Sequence, residues 1–161
     1  MHALRESLEA AGFESVRTYV QSGNVVLSTR RSAKRVADDV RALVAKEFGV
    51  DVAVVARTRE ELAAVVARNP LAKVAKDPKR YQVSFLDRSL AKEVVAKLEA
   101  VRDARERLVV DSREVYAWHP AGVARSKLWA ALASSELGVT ATSRNWTTVT
   151  SLLALANEEP G

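Results

Sequence analysis

Two short polar stretches carry residue types from which a binding site could be built. The first is Gln21-Ser22-Gly23-Asn24, which interrupts the β-rich run "TYVQSGNVVLST". Gly23 supplies the positive φ a tight hairpin needs, and Ser22 and Asn24 can bond nearby backbone. A plain turn does not require Gln21, whose amide can both donate to and accept from a ligand. Turn and site therefore both stand as readings. The second stretch is Arg144-Asn145-Trp146-Thr147-Thr148. Its structural reading is a helix start, with Ser143 or Asn145 as N-cap and Trp146 packing as a staple. Its functional reading is a guanidinium and an amide beside an indole face, suited to a phosphate, a carboxylate or a base. A helix N-terminus adds unpaired N–H groups and a positive dipole end to that set.

Other chemistries find little support. There is no cysteine, which excludes disulfides, thiolate metal sites and Cys nucleophiles. The two histidines are His2, at the terminus, and His119, expected in a loop packed near Trp118. No paired histidines share a helix face, so no metal site is indicated. A serine hydrolase elbow, Gly-x-Ser-x-Gly, does not occur, and neither do the glycine-rich nucleotide loops, so no cofactor is indicated. Asp38 and Asp39, and Glu60 and Glu61, are adjacent on expected helices and point apart, which makes them poor acid–base partners.

The 161-residue chain is long enough for a real core, with 48% hydrophobic and 28% charged residues. No apolar run approaches the roughly 18 residues that span a bilayer, and Met1 to Glu6 show no secretory pattern. With the absence of cysteine, this fits a cytoplasmic address. Arginine outnumbers lysine by 17 to 8, and the net charge is +5. Such a balance favours acidic partners, nucleic acid first, although both signs of charge interleave along the chain.

The elements that must position these residues follow from periodicity. "ALRESLEAAG" places Leu4, Leu8 and Ala11 on one helical face, and Gly12 supplies the stop. The hairpin around Gly23 follows. "SAKRVADDVRALVAKEFG" is a helix with Val36, Val40, Leu43, Val44 and Phe48 on one stripe, ended by Gly49. "VDVAVVA" reads as a buried strand, and "TREELAAVVA" as a helix opened by a Thr58-to-Glu61 capping box. Residues 68–80 carry two prolines and five basic residues and read as a connection. Beyond them come the strand "YQVSFL", a helix near 89–101, a hairpin turning at Asp111-Ser112-Arg113, and a short helix after "WHPAG". The closing "TATSRNWTTVTSLLALA" reads as a last helix with Val149, Leu152, Leu153 and Ala156 facing inward.

Set side by side, the halves suggest a duplication. The second runs strand, helix, hairpin, helix; the first runs helix, hairpin, helix, strand, and lacks an opening strand before Leu4. The expected fold class is α+β, with two ferredoxin-like (split β-α-β) halves and antiparallel sheets. The expected organisation is an N-terminal half over residues 1–67, a connecting segment over 68–80, and a C-terminal half with its closing helix over 81–161. A missing opening strand would sit inside the sheet. Either the chain begins late relative to the gene's true start, or the first sheet is built differently.

"FESVRTYVQSGNVVLST" and "LGVTATSRNWTTVTSLL" resemble the bacterial family named domain of unknown function 1697. The hairpin pattern of that family is matched by Tyr19, Gln21, Ser22, Gly23, Asn24 and Val25, and its closing pattern by Ala141, Thr142, Arg144, Asn145, Trp146, Thr148 and Val149. Members usually open with a strand resembling Leu-Leu-Arg-Gly-Ile-Asn-Val-Gly, which this chain lacks. The resemblance implies a two-part α+β fold with ferredoxin-like halves, and no activity.

Three function classes remain. A binding module would take an anionic small molecule in a cleft between the halves, using Gln21, Ser22, Asn24, Arg144, Asn145 and Trp146. A nucleic-acid binder would use the net charge, Lys73, Lys76, Lys79 and Arg80, and a sheet face, although no aromatic-rich RNA-recognition strand is present. An enzyme on a small anionic metabolite lacks an evident acid, base or nucleophile. An open sheet edge in the first half would also invite homodimer formation.

Overall fold

The computed structural model describes residues 2–19 and 23–158. They form an α+β protein with two antiparallel sheets. The chain divides into two compact units, Met1–Ala63 with Thr150–Gly161, and Ala64–Val149.

In the first unit, α1 (His2–Ala10) is followed by Gly12 at φ +98, the left-handed stop its sequence requires. Strands β1 (Glu14–Thr18) and β2 (Val25–Ser28) pair as an antiparallel hairpin. The register shifts between Glu14 and Arg17, where Ser15 sits at φ 49, so β1 carries a bulge. Helix α2 (Ala33–Phe48) is capped at both ends. Ser32 Oγ accepts from the Arg35 amide, and Gly49, at φ 68, donates its own amide to Ala45. Leu8, Phe13 and Val16 are the buried centre, with Leu4, Val25, Leu27, Val36, Val40 and Leu43 packed around them. Helix α3 (Arg59–Arg68) opens with the expected capping box: Thr58 N donates to Glu61 Oε1 at 2.9 Å, and Glu61 N to Thr58 Oγ1 at 3.1 Å.

One element differs from the sequence reading. The segment "VDVAVVA" is not a strand: residues 50–57 lie outside regular structure. Val50 and Val52 are 49% and 38% exposed, and Phe48 at the end of the α2 stripe is 43% exposed. A strand is defined by a ladder partner, and among the described residues β1 and β2 pair only with each other. High β-propensity cannot supply the missing neighbour. Asp51 instead receives a bidentate pair from Arg41 on α2, at 2.7 and 2.8 Å.

The second unit runs β3 (Tyr81–Leu86), α4 (Lys92–Val101), β4 (Arg107–Asp111), β5 (Glu114–Trp118), α5 (Lys127–Leu132), a 3₁₀ turn (Ser135–Leu137) and β6 (Ala141–Asn145). Its sheet has the order β4-β5-β3-β6, antiparallel throughout. A two-residue turn joins β4 to β5, with Ser112 at φ 54 providing the left-handed position. One face of the sheet carries Leu86, Val115 and Ala117 against Leu98 of α4 and Leu128 and Leu132 of α5. All six residues of β3 are buried.

The closing segment is the second correction. Residues 141–145, read as part of the closing helix or its N-cap, are β6, and helix α6 (Trp146–Asn157) starts only after them, at the Asn145 cap. Pairing decides this: Gln82 faces Asn145, Ser84 faces Ser143 and Leu86 faces Ala141. Five ladder positions on a buried central strand outweigh the weak local preference of Ala-Thr-Ser-Arg-Asn. Of the inward residues expected on α6, Val149 is fully buried, while Leu152, Leu153 and Ala156 are half-buried.

Candidate functional site

Arg144 is the penultimate residue of β6, an edge strand, and pairs with Val83. Its side chain is half-buried, and Nη1 donates to the Ser143 carbonyl at 2.8 Å. Loss of hydration pushes the guanidinium pKa below its ordinary value. Asn145 is the N-cap of α6, its Oδ1 accepting from Thr148 N at 2.9 Å. Trp146 donates its backbone amide to the Pro78 carbonyl at 3.1 Å. Its indole stacks on Tyr81 of β3, with centroids 4.7 Å apart and planes 22° from parallel.

That stack continues within the second unit. Tyr81 lies 6.5 Å from Tyr116, its hydroxyl donates to Asn69 Oδ1 at 2.9 Å, and the Tyr116 hydroxyl donates to the Val65 carbonyl at 3.0 Å. Burial pushes both phenols up. Arg68 bonds Asp111 at 2.9 Å and Glu114 at 3.3 Å, so one of the five cations of residues 68–80 belongs to the sheet's hairpin.

At the first stretch, Gln21 and Ser22 lie outside the described residues. Gly23 has φ 83 and Asn24 is 7% exposed, its carbonyl accepting from Tyr19 N at 3.1 Å. The positive φ of Gly23 is compatible with a tight turn. Asn24 belongs to the first unit, and Arg144, Asn145 and Trp146 to the second.

Two clusters were not read from the sequence. His119 is fully buried, and its aromatic neighbour is Trp129, edge-on at 5.9 Å, where Trp118 was expected. His119 Nδ1 meets Glu106 Oε2 at 2.6 Å, and Ser126 Oγ donates to that same oxygen at 2.6 Å. A carboxylate only accepts, so Nδ1 carries the hydrogen, and Nε2 is left buried with no partner. This is not the geometry of a serine hydrolase. There the serine faces the nitrogen opposite the carboxylate, whereas here Ser126 and Glu106 share one side of the ring. Ser126 Oγ also caps α5, accepting from Trp129 N at 3.0 Å. Burial pushes the Glu106 carboxyl up, but bonds from Ser126, His119 and the Asp103 amide together hold it below the usual range. The i, i+3 spacing of Asp103 and Glu106 was the available signal, since Asp103 N donates to Glu106 Oε1 at 3.0 Å as in a capping box.

The second cluster lines an open groove of about 420 Å³ in the first unit, walled by Ala11, Phe13, Arg31, Arg35, Asp39, Ala42, Leu43 and Lys46. The i, i+4 spacing of Arg31, Arg35 and Asp39 marked its charged wall in the sequence. No group of three or more ligating side chains that could hold a metal is found among the described residues. Among them, no helix is long and apolar enough to cross a membrane.

Among solved structures, the chain is similar to a conserved bacterial protein, SP0830 from Streptococcus pneumoniae. The TM-score is 0.76 at 20% identity, covering 98% of this chain and 88% of that one. At that identity the likeness concerns the fold alone. No curated protein matches. The family described as "Protein of unknown function (DUF1697)" matches over residues 1–116, most of the 161-residue chain. The chain belongs to the DUF1697 family.

Proposed function

We propose that the protein is a binding module for an anionic ligand, anchored in the second unit by Arg144. The observation that carries the reading is the half-buried, partly dehydrated guanidinium of an edge strand. A cation that has lost water gains more from an anion than an exposed one does, because less solvent screens the pair. Asn145 and Trp146 border Arg144 in the chain, but both also hold the fold: one as cap, the other as stacking partner of Tyr81. Gln21, Ser22 and Asn24 remain candidates of the same reading.

Nucleic acid is the second reading, and the sheet argues against its usual form. An RNA platform offers exposed aromatic residues on central strands, whereas here Tyr81, Phe85 and Tyr116 are buried. An enzyme acting on a small anion would need a reachable acid or base, and His119 is fully buried. The β-α-β-β-α-β order and the β4-β5-β3-β6 sheet support a ferredoxin-like second unit. The β1–β2 hairpin between α1 and α2 is its proposed counterpart in the first unit, and the open edges of that hairpin would be the place for a second copy to pair.

Anion binding followed by calorimetry across mono- and polycarboxylate probes tests the proposal. Arg144→Ala is expected to abolish the response while leaving a cooperative melt, and Arg144→Lys to restore it in part. Unchanged binding in Arg144→Ala overturns the reading. So does a loss of folding as severe as that of Trp146→Ala, which would make Arg144 a structural strut.

A further inference from the structure

We infer that the groove of the first unit is a second, independent ligand site, shaped for a soluble phosphomonoester with an apolar or planar body, of nucleotide size. Its centre is Arg31. The guanidinium lies 4.3 Å above the Phe13 ring, Nη2 donates to the Ala11 carbonyl at 2.8 Å, and Nη1 to Asp39 Oδ2 at 3.2 Å. Phe13 is itself a core residue, 3% exposed, so the cation rests on a fixed floor. Gly12 permits this, for a Cβ there would come within 3.3 Å of Arg31 Nη2. Surface arginines are ordinarily mobile, and ordering one costs side-chain entropy before any ligand arrives. Here the fold has already ordered it, although a third of the side chain remains exposed.

The charge is unbalanced. Arg31 and Arg35 share one carboxylate, Asp39, and Lys46 lines the same groove. Three cations against one anion leave an excess positive charge. Arg35 engages Asp39 through Nε, at 3.0 and 3.1 Å, leaving its two terminal nitrogens for a ligand. Two guanidinium groups and an ammonium match a terminal phosphate better than a single carboxylate, which the pair already possesses. The remaining wall, lined by Ala11, Ala42 and Leu43, presents apolar side chains. A bare inorganic ion would leave that wall uncovered, while an organic body would bury it. A planar body could also stack on the outer face of Arg31. The volume of about 420 Å³ lies in the range of small-molecule sites.

The test is calorimetric titration at low salt with three probes: adenosine 5′-monophosphate, inorganic phosphate and adenosine. The monophosphate is expected to saturate, phosphate to bind more weakly and adenosine not to bind. Arg35→Gln and Lys46→Gln are each expected to weaken the monophosphate about tenfold without moving the melting temperature. Lys34→Gln, on α2 but outside the groove, and Arg144→Ala are expected to change nothing. Failure here therefore leaves the Arg144 reading intact, and the reverse holds too. Absence of saturable monophosphate binding overturns the inference, as does binding indifferent to Arg35→Gln and Lys46→Gln. Exclusive binding of a single-stranded oligonucleotide, or of phosphatidic acid vesicles, with the same two variants sensitive, overturns it in favour of a polymer or a lipid headgroup.

Discussion

Glu106 shows how single residues in this protein trade solvation for contacts. Its carboxylate is 5% exposed and takes bonds from His119, Ser126 and the Asp103 amide. Because the folded pKa is lowered, the network contributes stability above the carboxyl's ordinary value of about 4.5, and the contribution is lost as pH falls below it. Thermal melts between pH 3 and 7 are expected to show that loss. Glu106→Gln is expected to melt lower at pH 7 and to flatten the acid limb of the curve. An acid limb unchanged in Glu106→Gln would place the acid-sensitive groups elsewhere. Arg144 shows a different balance: burial lowers its pKa, and its Nη1 donates to the neighbouring Ser143 carbonyl.

At the scale of elements, the junction of β6 and α6 divides its labour by residue. Asn145 closes the ladder to β3 through its backbone and opens the helix through its side chain. Asn145→Ala is expected to cost about 1 kcal/mol, the worth of a cap. Trp146→Ala removes a large half-buried ring from Tyr81, and about 2–4 kcal/mol is expected, toward the lower end for a core aromatic. Denaturant titrations of both variants check the ranking; a larger loss from Asn145→Ala would show that β6 pairing rests on the cap. Helix α2 is organised differently. It has no fully buried residue; its caps and a half-buried stripe hold it in place, and its exposed i, i+4 ion pairs add little.

For the whole molecule, the +5 charge is dispersed. Arg5 pairs with Glu9, Lys34 with Asp38, Arg41 with Asp51, and Arg102 with Glu99. A duplex or heparin would therefore meet scattered cations, among them the three of the groove and the basic residues of the 68–80 segment. Binding to either is expected to be weak, with a slope of log K against log salt of about −3 or shallower. A slope steeper than about −6 in gel-shift titrations would reveal a continuous basic surface instead.

What the amino-acid sequence determined by itself was local. Gly12 and Gly49 as helix stops, the Thr58–Glu61 box, the turn at Ser112 and the buried run "YQVSFL" all rest on backbone sterics, caps or short-range periodicity. The family was legible from its two polar motifs. Only the tertiary structure decided the rest. Residues 141–145 became a strand because β3 lay free to pair, and "VDVAVVA" did not because no ladder partner reached it. The groove and the Glu106–His119–Ser126 cluster join residues separated by loops and turns, and such meetings leave almost no trace in spacing. Phe13 and Arg31 lie a hairpin apart in the chain, and only the packing of α2 over Leu8, Phe13 and Val16 brings the ring beneath the guanidinium.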